Sequence, residues 1–209
     1  CIKTIVTTDL TNRIAEEFGV EIREILTGFK YIGEQIGLLE AAGEVERYIL
    51  GFEESYGYLA GPHVRDKDAV CGSMMICEMA AFYATQGKSL VDVLGELYAK
   101  YGYYLCTQQS FAFEGESGMN EMNEIMAKLQ SSPLQELDGE KVVLFKDYKA
   151  QVVINNVTGE KSSTGLPKSS VLSYTLENGN KFIIRPSGTE PKIKFYFFVL
   201  DKDEASARA

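Results

Sequence analysis

Short apolar runs alternate with longer mixed stretches along this chain, and the pattern changes character near the middle. Residues 2–7 read as a strand, and Thr8 or Asp9 is placed to cap a helix over 10–18 that stops at Gly19. A strand over 20–26 follows, then a loop over 27–30, a helix over 31–42 and a third strand over 47–52. Strand, helix, strand, helix, strand in this order predicts βαβ units and a largely parallel sheet. Ligands collect at the carboxyl ends of such strands. Lys30 and Glu53 both follow strands, which places them at that edge.

A long apolar helix is predicted over 68–86, ending at Gly87, and Ser89 caps another that runs to about residue 101. In the second helix Leu90, Val93, Leu94 and Leu97 recur at helical spacing. Met74, Met75, Met79, Phe82 and Tyr83 are expected in the core. Beyond a boundary placed between 106 and 110, strands over 110–113, 142–148, 151–154, 171–176, 181–184 and 192–199 surround one helix over 119–130. Residues 155–170 read as a polar loop, and Glu177-Asn178-Gly179-Asn180 is a hairpin signal. The expected fold is α/β: a first domain over 1–107 with a mixed, largely parallel sheet packed with helices, and an α+β domain over 108–209 with an antiparallel sheet.

The length of 209 residues suits two such domains, and 45% hydrophobic with 24% charged residues is ordinary for a globular chain. A net charge of −9, from 21 basic and 30 acidic residues, argues against nucleic acid, which needs a basic face. Any anion site must be a local positive patch on an acidic body. The cysteines at 1, 71, 77 and 106 form no CxxC pair and read as reduced, mostly buried thiols of a cytoplasmic protein. No targeting segment is visible, and the most apolar stretch, 69–84, is too short to span a membrane.

Two loops carry the candidate chemistry. Arg185-Pro186-Ser187-Gly188-Thr189-Glu190 lies between strand runs and suits a phosphate. Its guanidinium matches two phosphate oxygens, Ser187 and Thr189 supply hydroxyl donors, and Gly188 lets backbone N–H groups approach the anion. Gly51-Phe52-Glu53-Glu54-Ser55-Tyr56-Gly57 follows an apolar run. Strand alternation points Glu53 and Ser55 to one side and Glu54 to the other. A carboxylate accepts hydrogen bonds from adjacent hydroxyls, as a sugar diol requires. Arg65-Asp66-Lys67-Asp68 stands just before the apolar helix, with Asp66 or Asp68 as its cap.

These segments, with Thr27-Gly28-Phe29-Lys30, resemble in their order the active-site segments of the α-D-phosphohexomutases, the phosphoglucomutase and phosphomannomutase superfamily. The wording Gly-Phe-Glu-Glu-Ser-Tyr-Gly-Tyr is similar to bacterial α-phosphoglucomutases and the related phosphopentomutase branch. The likeness runs from about residue 2 to about 199 and fits the third and fourth domains of a four-domain enzyme. The fourth domain of that family is TATA-box-binding-protein-like. The first two domains carry the phosphorylated serine and an Asp-rich magnesium loop. Neither motif occurs here; the one histidine is His63. The chain therefore reads as a C-terminal fragment, inactive alone, whose last residues begin a helix that is cut short.

The resemblance implies a phosphoryl shift between C1 and C6 of a hexose phosphate through a bisphosphate, with glucose 1,6-bisphosphate as intermediate and activator. It implies Mg2+ in the whole enzyme, held outside this chain, with no metal ligands here. Partners are a hexose phosphate and the missing N-terminal domains. Lys30, Glu53, Glu54, Ser55, Arg65 and Lys67 become substrate-binding residues; Arg185, Ser187, Gly188 and Thr189 grip the phosphate. Lys67 is the candidate general acid or base, or a neutraliser of charge. His63 reads as a surface-loop residue or a minor substrate contact. Phosphoglucomutase is the leading activity; phosphomannomutase, phosphopentomutase and a non-catalytic sugar-phosphate-binding module stay open.

Overall fold

A computed structural model describes residues 1–113, 115, 117–188 and 190–208. The chain divides into two compact units, the first Cys1–Gly102 and the second from Tyr103 onward.

In the first unit β1 (Ile2–Thr4), β2 (Arg23–Ile25), β3 (Leu50–Glu53) and β4 (Gly57–Ala60) form a sheet in the order β2-β1-β3-β4. β1 pairs parallel with β2 and β3, and β4 returns antiparallel to β3. This is the mixed, largely parallel sheet that the βαβ pattern predicts. Helices α1 (Leu10–Glu17) and α2 (Phe29–Ala41) make the crossovers. α2 buries Phe29, Ile32, Ile36 and Leu39 against Ile2, Ile25 and Leu59. Because β1, β2 and β3 are parallel, their carboxyl ends at Thr4, Ile25 and Glu53 share one edge.

Three local expectations need correction. The third strand starts later than residue 47: Val45–Arg47 is a 3-10 turn, and Tyr48 leaves the strand path to bury its ring and donate its hydroxyl to the Leu59 carbonyl at 2.8 Å. Lys30 lies in the first turn of α2, not in a loop, because the helix starts directly after Gly28, whose φ is +119°. The expected core residues Met74, Met75, Met79 and Phe82 are exposed on α3 (Ala69–Ala84). That helix meets β4 through Gly72, which packs on Tyr58, and Gly72 is its one buried residue. Apolar composition fixed the helix but not which of its faces this unit covers. Asp68 caps it by accepting from Cys71 N at 2.9 Å. α4 (Leu90–Tyr101) starts in a capping box in which Ser89 and Asp92 satisfy each other's backbone N–H.

The second unit is an antiparallel sheet with one long helix, as expected. The strands are β5 (Tyr103–Ala112), β6 (Glu136–Leu137), β7 (Glu140–Asp147), β8 (Val152–Asn155), β9 (Lys161–Ser163), β10 (Leu172–Leu176), β11 (Lys181–Pro186) and β12 (Lys192–Asp201). Their order is β5-β12-β11-β10-β7-β8-β9, with β6 flanking β7. β5 is longer than its apolar signal because it pairs with all of β12, from Tyr103↔Asp201 to Ala112↔Lys192. The polar loop over 155–170 contains the short edge strand β9. Helix α5 (Gly118–Ser131) sets Met122 and Met126 against Phe145, Leu172, Tyr174, Phe182 and Ile184. Tyr174 stacks on Phe182 with centroids 4.7 Å apart, and burial pushes its hydroxyl pKa up to about 12. A short helix, α6 (Glu204–Arg208), closes the described chain.

None of the four cysteines forms a disulfide. The expectation of buried thiols is corrected: Cys77 and Cys106 are exposed and the other two are half-buried. Among the described residues, no helix is long and apolar enough to cross a membrane.

Candidate functional site

In the first unit the chain reverses at Glu54-Ser55-Tyr56 between β3 and β4, with Tyr56 left-handed at φ +56° and 90% exposed. Glu53, the last residue of β3, points inward, its side chain only 7% exposed. Its Oε1 accepts from Lys67 Nζ at 2.5 Å and from Ser55 Oγ at 3.0 Å. Lys67 Nζ also reaches the Ser55 carbonyl at 3.3 Å. Carboxylate, hydroxyl and ammonium thus form one cluster at the carboxyl edge of the sheet. Gly57 makes the approach feasible: a Cβ there would lie 2.7 Å from Glu53 Cγ and 2.9 Å from Lys67 Cε.

Glu54 turns the other way. Its Oε2 accepts from Thr4 Oγ1 at 3.0 Å and from Thr7 Oγ1 at 3.4 Å, and the two hydroxyls are 3.0 Å apart. The sugar-loop candidate is therefore tied to the turn that follows β1. That turn is held in turn by Lys3, which is fully buried. Its ammonium meets Asp9 Oδ1 at 2.7 Å, Glu24 Oε1 at 3.1 Å and the carbonyls of Thr7 and Thr8. Sequence reasoning missed Lys3, Thr4 and Thr7. The available signal was a lysine inside an apolar strand, followed by hydroxyls at the carboxyl end of that strand.

Arg65 and Lys30 stand apart from the cluster. Arg65 binds Glu40 and the carbonyls of Pro62 and Val64, and its own carbonyl rests on α2, where a Cβ at Gly33 would lie 2.8 Å from it. The Lys30 ammonium lies 4.9 Å from the Tyr31 ring centroid. His63 Nε2 is 2.8 Å from Asp68 Oδ2. The Cys71 N–H and His63 together hold the Asp68 carboxyl below its ordinary value.

In the second unit β11 and β12 bring Arg185 opposite Lys194 and Pro186 opposite Ile193, and Ser187 N closes the loop on the Lys192 carbonyl at 2.7 Å. Ser187 Oγ accepts from Glu190 N at 3.3 Å. Arg185, Ser187 and Gly188 line a cavity of about 670 Å³ whose floor includes Met122 and Met126 of α5. Among the described residues, no carboxylate pairs with Arg185. Thr189, the fourth residue expected in this grip, lies outside the described residues. Also among the described residues, no group of three or more His, Cys, Asp or Glu side chains is placed to hold a metal ion.

Residues 1–101 match the family described as phosphoglucomutase/phosphomannomutase, alpha/beta/alpha domain III. The chain is 41% identical over 196 residues to a phosphoglucomutase of Staphylococcus aureus and 35% identical over 197 residues to one of Staphylococcus saprophyticus. These matches span 93% and 94% of this chain but 35% of each relative. Among solved structures, the open form of the Paramecium phosphoprotein pp63/parafusin, a phosphoglucomutase, shares the fold with a TM-score of 0.65 at 20% identity, over 99% of this chain and 35% of that one. Residues 1–101 therefore belong to the phosphoglucomutase/phosphomannomutase domain III family, and the chain as a whole resembles the third and fourth domains of the α-D-phosphohexomutases.

Proposed function

We propose that this chain is the substrate-binding part of a cytoplasmic phosphoglucomutase that interconverts glucose 1-phosphate and glucose 6-phosphate. The two units correspond to the third and fourth domains. One observation carries the reading: a carboxylate, Glu53, is held by Lys67 and Ser55 at the carboxyl edge of a mixed, largely parallel sheet within the matched domain. A carboxylate fixed in orientation reads neighbouring hydroxyls by accepting from both, the chemistry of a sugar diol at O3 and O4.

In this reading a phosphoserine outside the chain gives its phosphoryl group to the free hydroxyl of the sugar phosphate. The resulting bisphosphate, glucose 1,6-bisphosphate, turns over and returns its other phosphoryl group to the serine oxygen. Magnesium neutralises phosphate charge when bound, and its ligands fall outside this chain. Phosphoryl transfer depends on positioning and electrostatic stabilisation, and positioning is this chain's share. Glu53 and Ser55 hold hydroxyls that exchange places when the intermediate turns over. Lys67 orients Glu53 and is the candidate acid or base. Arg185, Ser187, Gly188 and Thr189 grip the phosphate that does not react, and Lys30 and Arg65, which stand apart from the Glu53 cluster, are assigned the charge around the sugar phosphate. Glu54 supports the loop by its bonds to Thr4 and Thr7.

The test is to incubate the full-length protein with glucose 1-phosphate and follow the phosphorus NMR spectrum. Appearance of glucose 6-phosphate is expected. Binding without interconversion would replace the enzyme by a sugar-phosphate-binding module.

A further inference from the structure

We propose that Lys149, supported by Ser169 and Ser170, forms a second wall of the phosphate site and binds the phosphate oxygens that Arg185 leaves unpaired. The inference rests on the reading of the Arg185 loop as a phosphate grip.

Lys149, Ser169 and Ser170 line the same cavity as Arg185, Ser187 and Gly188. Strand register explains how. Leu172 of β10 pairs with Asp147 of β7 on one side and with Ile184 of β11 on the other. The end of β7, the start of β10 and the end of β11 therefore reach one edge of the sheet. Lys149 follows the first, Ser170 precedes the second, and Arg185 directly follows Ile184. β7 and β11 are separated by β10 alone, so the two cationic residues arise from backbones about 10 Å apart. Two long side chains bracket an anion at that separation.

The wall is pre-formed. Asp147 is 6% exposed, and its Oδ1 accepts from Lys149 N at 2.8 Å and from Ala150 N at 3.0 Å. That fixes the turn from which Lys149 projects. Tyr148 N donates to Val171 O at 3.1 Å, and Ser169 N donates to Tyr148 O at 3.3 Å. Turn and approach strand are thereby stitched into one piece. Among the described residues, no carboxylate pairs with Lys149. On a chain of net charge −9, two cations that share a cavity and carry no described acidic partner concentrate positive potential where an anion fits.

The chemistry assigns the ligand class. The Arg185 fork satisfies two oxygens of a phosphate monoester. A third oxygen then faces away from the loop, and a lysine is a compact, rotatable point charge that can meet it. The ligand is a dianionic phosphate monoester, with its ester substituent directed out of the cavity.

The experiment is an amide NMR titration of this chain with inorganic phosphate and with glucose 1-phosphate. The wild type is compared with Lys149→Gln, Lys149→Arg and Arg185→Gln. We expect Lys149→Gln to weaken both ligands roughly tenfold, as loss of a charged contact does. Lys149→Arg should restore most of the affinity, which a merely structural turn residue would not require. Shifts on binding should include Lys149, Ser169 and Ser170. If Arg185→Gln abolishes binding and Lys149→Gln matches wild type, this inference falls and the phosphate-loop reading stands. If Arg185→Gln binds as wild type, or wild type does not bind phosphate, the loop reading itself is wrong and the inference falls with it.

Discussion

The two candidate loops handle charge in opposite ways. In the first unit every charged group of the loop is already engaged: Glu53 with Lys67 and Ser55, Glu54 with Thr4 and Thr7. In the second unit Arg185 faces a cavity with no described carboxylate beside it. The difference follows from what each loop is proposed to meet. A neutral sugar gives little Coulombic energy, so a carboxylate that reads hydroxyls must be oriented and neutralised beforehand, or its burial is unfavourable. A dianionic phosphate brings its own charge, so a cation awaiting it needs no internal partner. One loop is preorganised by an ion pair; the other, on the proposed reading, is completed by its ligand.

The strongest challenge to this contrast is Arg185→Ala in the full-length protein. Loss of a charge-assisted bidentate contact removes about 1.5–3 kcal/mol, which predicts a drop in kcat/KM of roughly 10- to 100-fold. Unchanged kinetics would remove the phosphate assignment. Glu53→Gln tests the other side and should act selectively. We expect about tenfold weaker binding of glucose 1-phosphate, with inorganic phosphate nearly unaffected. Equal losses for both ligands would make Glu53 a structural residue.

A stability measurement sharpens the role of the preformed pair. A methyl group at position 57 would collide with Glu53 Cγ and Lys67 Cε, so Gly57→Ala must push the pair apart. Overpacking of this kind costs about 1–3 kcal/mol. Chemical denaturation should show that loss, together with weaker sugar-phosphate binding. A Gly57→Ala protein of wild-type stability that binds normally would mean that the close packing is dispensable.

Much of this was legible in the sequence, for identifiable reasons. The βαβ order was readable because apolar runs and the stop at Gly19 after the first helix are local signals. The turn after Glu53 and the loop that follows Arg185 and Pro186 at the end of β11 were readable because turn chemistry is local too. Partners were not. That Glu53 is held by Lys67, that Glu54 binds Thr4 and Thr7, and that Lys3 ties down the turn after β1 are contacts set by sheet pairing between distant segments. The strand Gly57–Ala60 escaped because a four-residue run after a turn carries too short a period to register. α3 misled for the opposite reason: its apolar residues are real, but composition does not state which surface covers them.

The smallest expected effect concerns the loop that carries Lys67. Asp68 ends that loop, caps α3 through Cys71 N and lies 2.8 Å from His63 Nε2. The Cys71 N–H first, and His63 second, hold its carboxyl below the ordinary value of 3.8. A carboxyl depressed on folding stabilises the folded state above its unfolded pKa, and that stabilisation is lost as pH falls through the folded value. The window therefore opens near pH 4 and extends downward. Asp68→Asn keeps an acceptor for the cap but cannot ionise, so the difference in stability between wild type and variant should be constant at neutral pH and should shrink on acidification. Thermal unfolding of both proteins from pH 7 to pH 3 measures it. A difference that stays the same across that range would show that the cap acts as a neutral hydrogen bond.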